Sequence, residues 1–204
     1  CIYPTRYMCD YLQEVERGKM KIALVRHGRP TFKMRGWVQA GDIAQLANTY
    51  EYAGIRNSPS LQAKQYVQKS KVVVCSDLPR SLESAQELGV NHLHAVDEIY
   101  RECRVPHFDK GSLVLPMKVW AVVLGVFWAL GFSKNGEPLS AAKQRARAVA
   151  YNLIELAEEH DSVVLVGHAV LNKFVARELR ALHWRGPRKP KKHYWAVNVY
   201  RFGN

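Results

Sequence analysis

Three short apolar runs organise the chain, and each stops at residues that packing alone does not call for. Ile22–Val25 lies inside KIALVRHGRP (Lys21–Pro30) and stops at Arg26, His27 and Gly28. Lys71–Ser76, KVVVCS, runs into Asp77-Leu78-Pro79-Arg80-Ser81, and Ser162–Val166, SVVLV, ends in Gly167-His168. Uninterrupted apolar runs of this length read as buried strands. Between them the period changes to that of helices. Ser58-Pro59-Ser60 opens a half-polar helix, Leu82–Leu88 makes a second, closed by Gly89, and Ala169–Leu182 another. From Pro138 to about His160 the apolar positions Ala146, Val149, Ala150, Leu153, Ile154 and Ala157 recur at helical spacing. Strand, turn and helix thus recur as βα units, which predicts one α/β domain around a mainly parallel sheet. Tyr194–Phe202 alternates as a further strand.

Two stretches are less regular. Thr31–Gly54 reads as a long loop with a short helix at Ala44–Tyr52, in a place where loops commonly contact substrate. Val119–Phe132, VWAVVLGVFWALGF, is apolar all round and too short to span a bilayer, so a buried helix is the plain expectation. The sharper alternative is an oligomer contact or a membrane-surface contact through 119–132, flanked by Lys118 and Lys134.

Composition narrows the class. The chain of 204 residues is long enough for one sizeable domain, and 48% hydrophobic residues exclude a disordered chain. Lys and Arg number 30 against 18 Asp and Glu, a formal charge of +12, which favours anionic partners. Cys1, Cys9, Cys75 and Cys103 form no CxxC pair, so neither a zinc site nor a disulfide framework is expected, although a Cys1–Cys9 bridge stays open. A reducing, cytoplasmic setting fits. No apolar leader opens the sequence, and residues 1–19 read as an N-terminal extension before Met20. His92 and His94 alternate but lack a third metal ligand.

The strand ends carry the candidate chemistry. In an open α/β sheet the carboxyl ends of the strands line the ligand site. Arg26, His27, Arg80 and His168 all fall at such ends. Two arginines and two histidines converging there suit a phosphoryl group, because guanidinium stays charged and grips phosphate oxygens bidentately. Arg80 also falls near a helix start, where a cation is unfavourable unless it faces an anion.

VRHG at 25–28, SDLPRS at 76–81, REC…P at 101–106 and VLVGH at 164–168 together resemble the histidine phosphatase superfamily, whose fold is phosphoglycerate-mutase-like. The resemblance implies a three-layer α/β/α sandwich and a phosphatase acting on a phosphomonoester or phosphohistidine. It implies His27 as nucleophile, forming a phosphohistidine, with Arg26, Arg80 and His168 holding the phosphoryl oxygens. A carboxylate protonates the leaving group. Glu102 matches the family's pattern best, Glu98 is its rival and Asp77 a distant third. No cofactor or metal is implied, and the expected partner is a phosphorylated small molecule or phosphoprotein. Arg29-Pro30 and Ala169 depart from common family residues without removing a catalytic group. A phosphosugar mutase and a catalytically idle phospho-ligand or phosphoprotein binder remain as alternatives. The basic stretch Arg177–Lys192 carries no recognisable nucleic-acid motif, so no nucleic-acid partner is expected.

Overall fold

The computed structural model describes residues 20–203; the expectations placed on residues 1–19, including the Cys1–Cys9 bridge, lie outside them. Five strands form the main sheet: β1 (Lys21–Arg26), β3 (Val72–Ser76), β4 (Ala95–Asp97), β6 (Ser162–Gly167) and β7 (Val197–Arg201), in the order β4-β3-β6-β1-β7. β4, β3, β6 and β1 are parallel, and β7 closes the β1 edge antiparallel. A two-stranded ribbon, β2 (Trp37–Gln39) with β5 (Val114–Pro116), stands apart. The helices are α1 (Ile43–Glu51), α2 (Leu61–Gln68), α3 (Pro79–Glu87), α4 (Met117–Ala129), α5 (Leu139–His160) and α6 (Ala169–Ala181).

The apolar runs are continuous because both faces of the sheet are covered. Side chains of a strand alternate between faces. Ile22, Leu24, Val72, Val74, Val163 and Leu165 pack with the buried stripes of α5 and α6. Ala23, Val25, Val73, Cys75, Val164 and Val166 pack instead with Ala63 and Val67 of α2, Ala85 and Leu88 at α3, and Trp195. The result is the expected three-layer sandwich. Register then sets the site. Arg26 pairs with Gly167, and Cys75 with Val166, so β1, β3 and β6 stop side by side. The His27 N–H donates to the Gly167 carbonyl at 3.0 Å, extending that pairing by one residue.

Two expectations need correcting. The stretch Thr31–Gly54 holds the expected short helix, as α1, but is otherwise more ordered than a loop: it also supplies β2 and a 3₁₀ turn at Ala40–Asp42. With β5 and α4 it encloses a small satellite core of Val38, Ala40, Ile43, Trp120 and Leu124. Nor is the apolar stretch at 119–132 a buried helix. α4 buries one stripe, Trp120, Leu124 and Trp128, whose indoles donate to the carbonyls of Val38 (2.8 Å) and Glu137 (2.7 Å). Val122, Val126 and Leu130 face outward, Leu130 with 79% of its surface open. Hydropathy reported the helix, not what covers it. His92 and His94 lie outside any strand; the His94 ring meets that of His160 edge-on instead. No described helix is long and apolar enough to cross a membrane.

Candidate active site

His27 follows β1 directly and is 1% exposed. Its Nδ1 lies 2.7 Å from the Gly28 carbonyl. A carbonyl only accepts, so Nδ1 carries the proton and Nε2 keeps its lone pair. Burial pushes the imidazole down to about 3; the Gly28 bond opposes this, while the charges of Arg80 and Arg26 add to it. His27 is therefore neutral at physiological pH. The Gly28 N–H donates to Ser84 Oγ at 2.8 Å. The backbone of Gly28 lies so close to Trp195 that a β-carbon there would sit 2.4 Å from its Cζ2.

His168 immediately precedes α6, in its N-cap position, and is fully buried, its ring centre 5.0 Å from that of His27. Its Nε2 is 3.2 Å from Ser81 Oγ, and its Nδ1 is buried without a partner. Burial, followed by the His27 ring and the arginines, holds its pKa well below the ordinary value. Two neutral imidazoles therefore lie next to one another, tilted by 58° and within the field of two guanidinium groups.

The arginines are held by carbonyls and aromatic rings. Arg80 is the second residue of α3, after Pro79, and is 2% exposed. Its Nη1 donates to the carbonyls of Tyr50 (3.1 Å) and Glu51 (3.0 Å), and its guanidinium lies 4.8 Å above the Tyr50 ring. The negative end of α1 thus offsets a cation that α3 disfavours. Arg26 donates Nη1 to the Lys192 carbonyl and stacks 4.2 Å from the Tyr194 ring, which also lies 5.8 Å from that of His27. Neither Nε has a partner within the protein, and both are buried. Unmet donors on two fixed cations are what an incoming oxyanion would satisfy.

Glu102 reaches the same place from the other side. Its Oε1 accepts from the backbone N–H groups of Cys103 (3.0 Å), Val170 (3.1 Å) and Leu171 (3.0 Å), and Oε2 accepts from Val170 alone at 3.2 Å. The carboxylate thereby caps α6, whose N-cap residue His168 provides no side-chain cap. Its negative charge is felt at Arg80. The rivals are engaged elsewhere. Asp77 forms a two-pronged ion pair with Arg101 at 2.7 and 2.5 Å, which holds its carboxyl below the usual range. The Glu98 side chain is 78% exposed and only 3.9 Å from Arg101.

The structure thus gathers Arg26, His27, Arg80, Glu102 and His168, and leaves Glu98 outside. It gives a place to Ser81, which the SDLPRS motif contains without a role, and adds Ser84 on the same buried face of α3, Tyr50 at the end of α1, and Tyr194 on the tail. A small hydroxyl at consecutive turns of a buried helix face was the one available signal. Tyr50 and Tyr194 arrive from distant segments and left none. Among the described residues no group of three His, Cys, Asp or Glu side chains is arranged to hold a metal ion.

A family model of the histidine phosphatase superfamily, branch 1, matches residues 22–204. No curated protein sequence matches significantly. Among solved structures, an open reading frame product from Mycobacterium tuberculosis is similar with a TM-score of 0.59 at 14% identity, covering 91% of this chain and 96% of that one. The phosphoserine phosphatase of Entamoeba histolytica, solved with 3-phosphoglyceric acid, gives 0.58 at 16% identity, covering 88% and 89%. A mycobacterial glucosyl-3-phosphoglycerate phosphatase gives 0.53 at 20% identity, covering 78% and 79%.

Proposed function

The chain belongs to the histidine phosphatase superfamily, and from that premise we propose that it is a metal-independent phosphatase working through a phosphohistidine. Its substrate is a phosphomonoester or a phosphohistidine, on a small molecule or a protein. One observation carries the reading. A buried, neutral His27 has its Nδ1–H tied to Gly28, which leaves Nε2 free within the field of two arginines that have unmet donors. Nε2 attacks phosphorus and the bond to the leaving oxygen breaks, with Glu102 donating a proton to that oxygen. Water, giving its proton to Glu102, then attacks phosphorus; the P–N bond breaks and phosphate departs. Arg26 and Arg80 carry the equatorial charge that metal ions carry in other phosphoryl-transfer sites. With Ser81 donating to His168 Nε2, the buried Nδ1–H of His168 is free to meet a phosphoryl oxygen.

Rapid-quench labelling with a phosphate-labelled substrate tests this. An acid-labile, base-stable phosphoenzyme is expected, absent in His27→Ala, with turnover surviving EDTA. Label that persists in His27→Ala and vanishes in His168→Ala would reverse the two histidines. Turnover lost in EDTA and restored by Mg²⁺ or Zn²⁺ would rule out the arginine clamp.

A further inference from the structure

At the far end of α6 from the candidate active site, the chain builds a second cationic cavity. The helix ends in a left-handed turn. His183 has φ 66, Trp184 N–H reaches back to the Leu179 carbonyl at 2.9 Å, and His183 N–H to that of Arg180 at 3.2 Å. This is the helix stop that normally takes glycine, and a histidine there carries a backbone cost. The following turn is fixed. Arg185 and Arg201 exchange backbone hydrogen bonds at 2.7 and 2.9 Å, and Tyr200 donates its hydroxyl to the Pro187 carbonyl at 3.2 Å. Gly186 lies so close to the Tyr200 ring that a β-carbon would stand 2.3 Å from Cδ1.

Over this frame opens a cleft of about 380 Å³, lined by Arg180, His183, Trp184, Arg185, Gly186 and Arg188. Three arginines line it and no acidic residue does. None of the three has an ion-pair or side-chain hydrogen-bond partner among the described residues. Like charges collected on a rigid frame repel one another. An anion with several oxygens turns that cost into binding, since each guanidinium matches a phosphate fork. The volume falls in the range of small-molecule pockets. The site is separate from the first: α6 runs between them, roughly 18 Å at 1.5 Å per residue.

We propose that this cleft is a binding site for a small molecule carrying two or more phosphoryl groups, distinct from the phosphoryl-transfer site. More than one phosphoryl group gives each of the three arginines its own set of oxygens to grip. The lining is confined to a nine-residue span, which suits a compact ligand better than a nucleic-acid strand.

Calorimetric titration of the full chain with inorganic tripolyphosphate at low salt tests the site. Two binding events are expected in the unaltered protein. Arg80→Ala, or Arg26→Ala where the first unfolds, should remove one of them. Arg185→Ala/Arg188→Ala should weaken the other at least tenfold while leaving the thermal midpoint unchanged. In the Arg80→Ala background, orthophosphate should bind at least tenfold more weakly than tripolyphosphate. A single event that Arg80→Ala abolishes and Arg185→Ala/Arg188→Ala leaves intact would overturn the proposal. So would equal affinity for orthophosphate, or tighter, arginine-dependent binding of a 20-nucleotide single strand.

Discussion

At the scale of the residue, the candidate site depends on which groups stay uncharged and which oxygens stay free. His27 and His168 are both held neutral, whereas in the unfolded chain each titrates near 6.5. Between that value and about 3, the unfolded chain binds a proton at position 27 that the folded chain refuses. Stability should therefore be flat above pH 6.5 and fall as pH drops below it, by up to about 1.4 kcal/mol per pH unit for each histidine. Urea titrations at pH 7.5, 6.0 and 5.0 measure this, and His168→Gln should flatten the slope; an unchanged slope would contradict the assignment. Glu102 presents a different choice, because one carboxylate both caps a helix and is proposed as the acid. Glu102→Gln should slow phosphoenzyme formation from alkyl phosphates roughly 10²–10⁴-fold. It should cost clearly less with p-nitrophenyl phosphate, whose phenolate leaves without a proton. The reading is the pre-steady-state burst. Glu98→Gln, at an exposed side chain, should change neither.

At the scale of the element, the outcome divides by how each segment is buried. β1, β3 and β6 were legible because strands covered on both faces need no polar positions, so their ends could be found from sequence alone. The residues after those ends followed, since a cation and an imidazole there have no packing role. The ribbon was not legible. β2 and β5 are three residues each, and β5 includes a proline, too short a stretch for alternation to register. Hydropathy predicts α4 but not what covers it, since an all-apolar helix gives no period from which to infer a face. Its two faces should respond differently to mutation. Trp120→Ala removes a buried indole and its bond to Val38, and should cost about 3–5 kcal/mol. Val122→Ser, on the exposed side, should stay within about 0.5 kcal/mol. Denaturant midpoints of the two variants check this; equal losses would mean that the outer face is covered in solution. The alternation of the tail predicts a strand from Tyr194, yet pairing starts only at Val197. The residues before it are diverted to the site, where Trp195 N–H donates to the Arg26 carbonyl and Tyr194 stacks on the Arg26 guanidinium.

At the scale of the whole molecule, the excess of 30 basic over 18 acidic side chains gives a field that attracts anions. Screening shortens its reach from tens of ångströms at low salt to about 8 Å at physiological ionic strength. Raising salt should therefore lower kcat/KM more than kcat, because capture feels the field and the enclosed chemical step feels it less. Stopped-flow and steady-state rates from 20 to 500 mM NaCl would show it; equal losses in both parameters would place the effect inside the site.

The contact between Gly28 and Trp195 couples two positions that lie far apart in the sequence. A β-carbon at 28 has no room while the indole is present. The indole in turn helps close one face of the sheet and leaves its Nε1 buried without a partner. Each residue therefore sets what the other can become. Gly28→Ala alone should be deleterious, yet it should be tolerated once Trp195 has been shortened. A selection for suppressors of Gly28→Ala should return to codon 195, and related chains with a larger residue at 28 should carry a smaller one at 195.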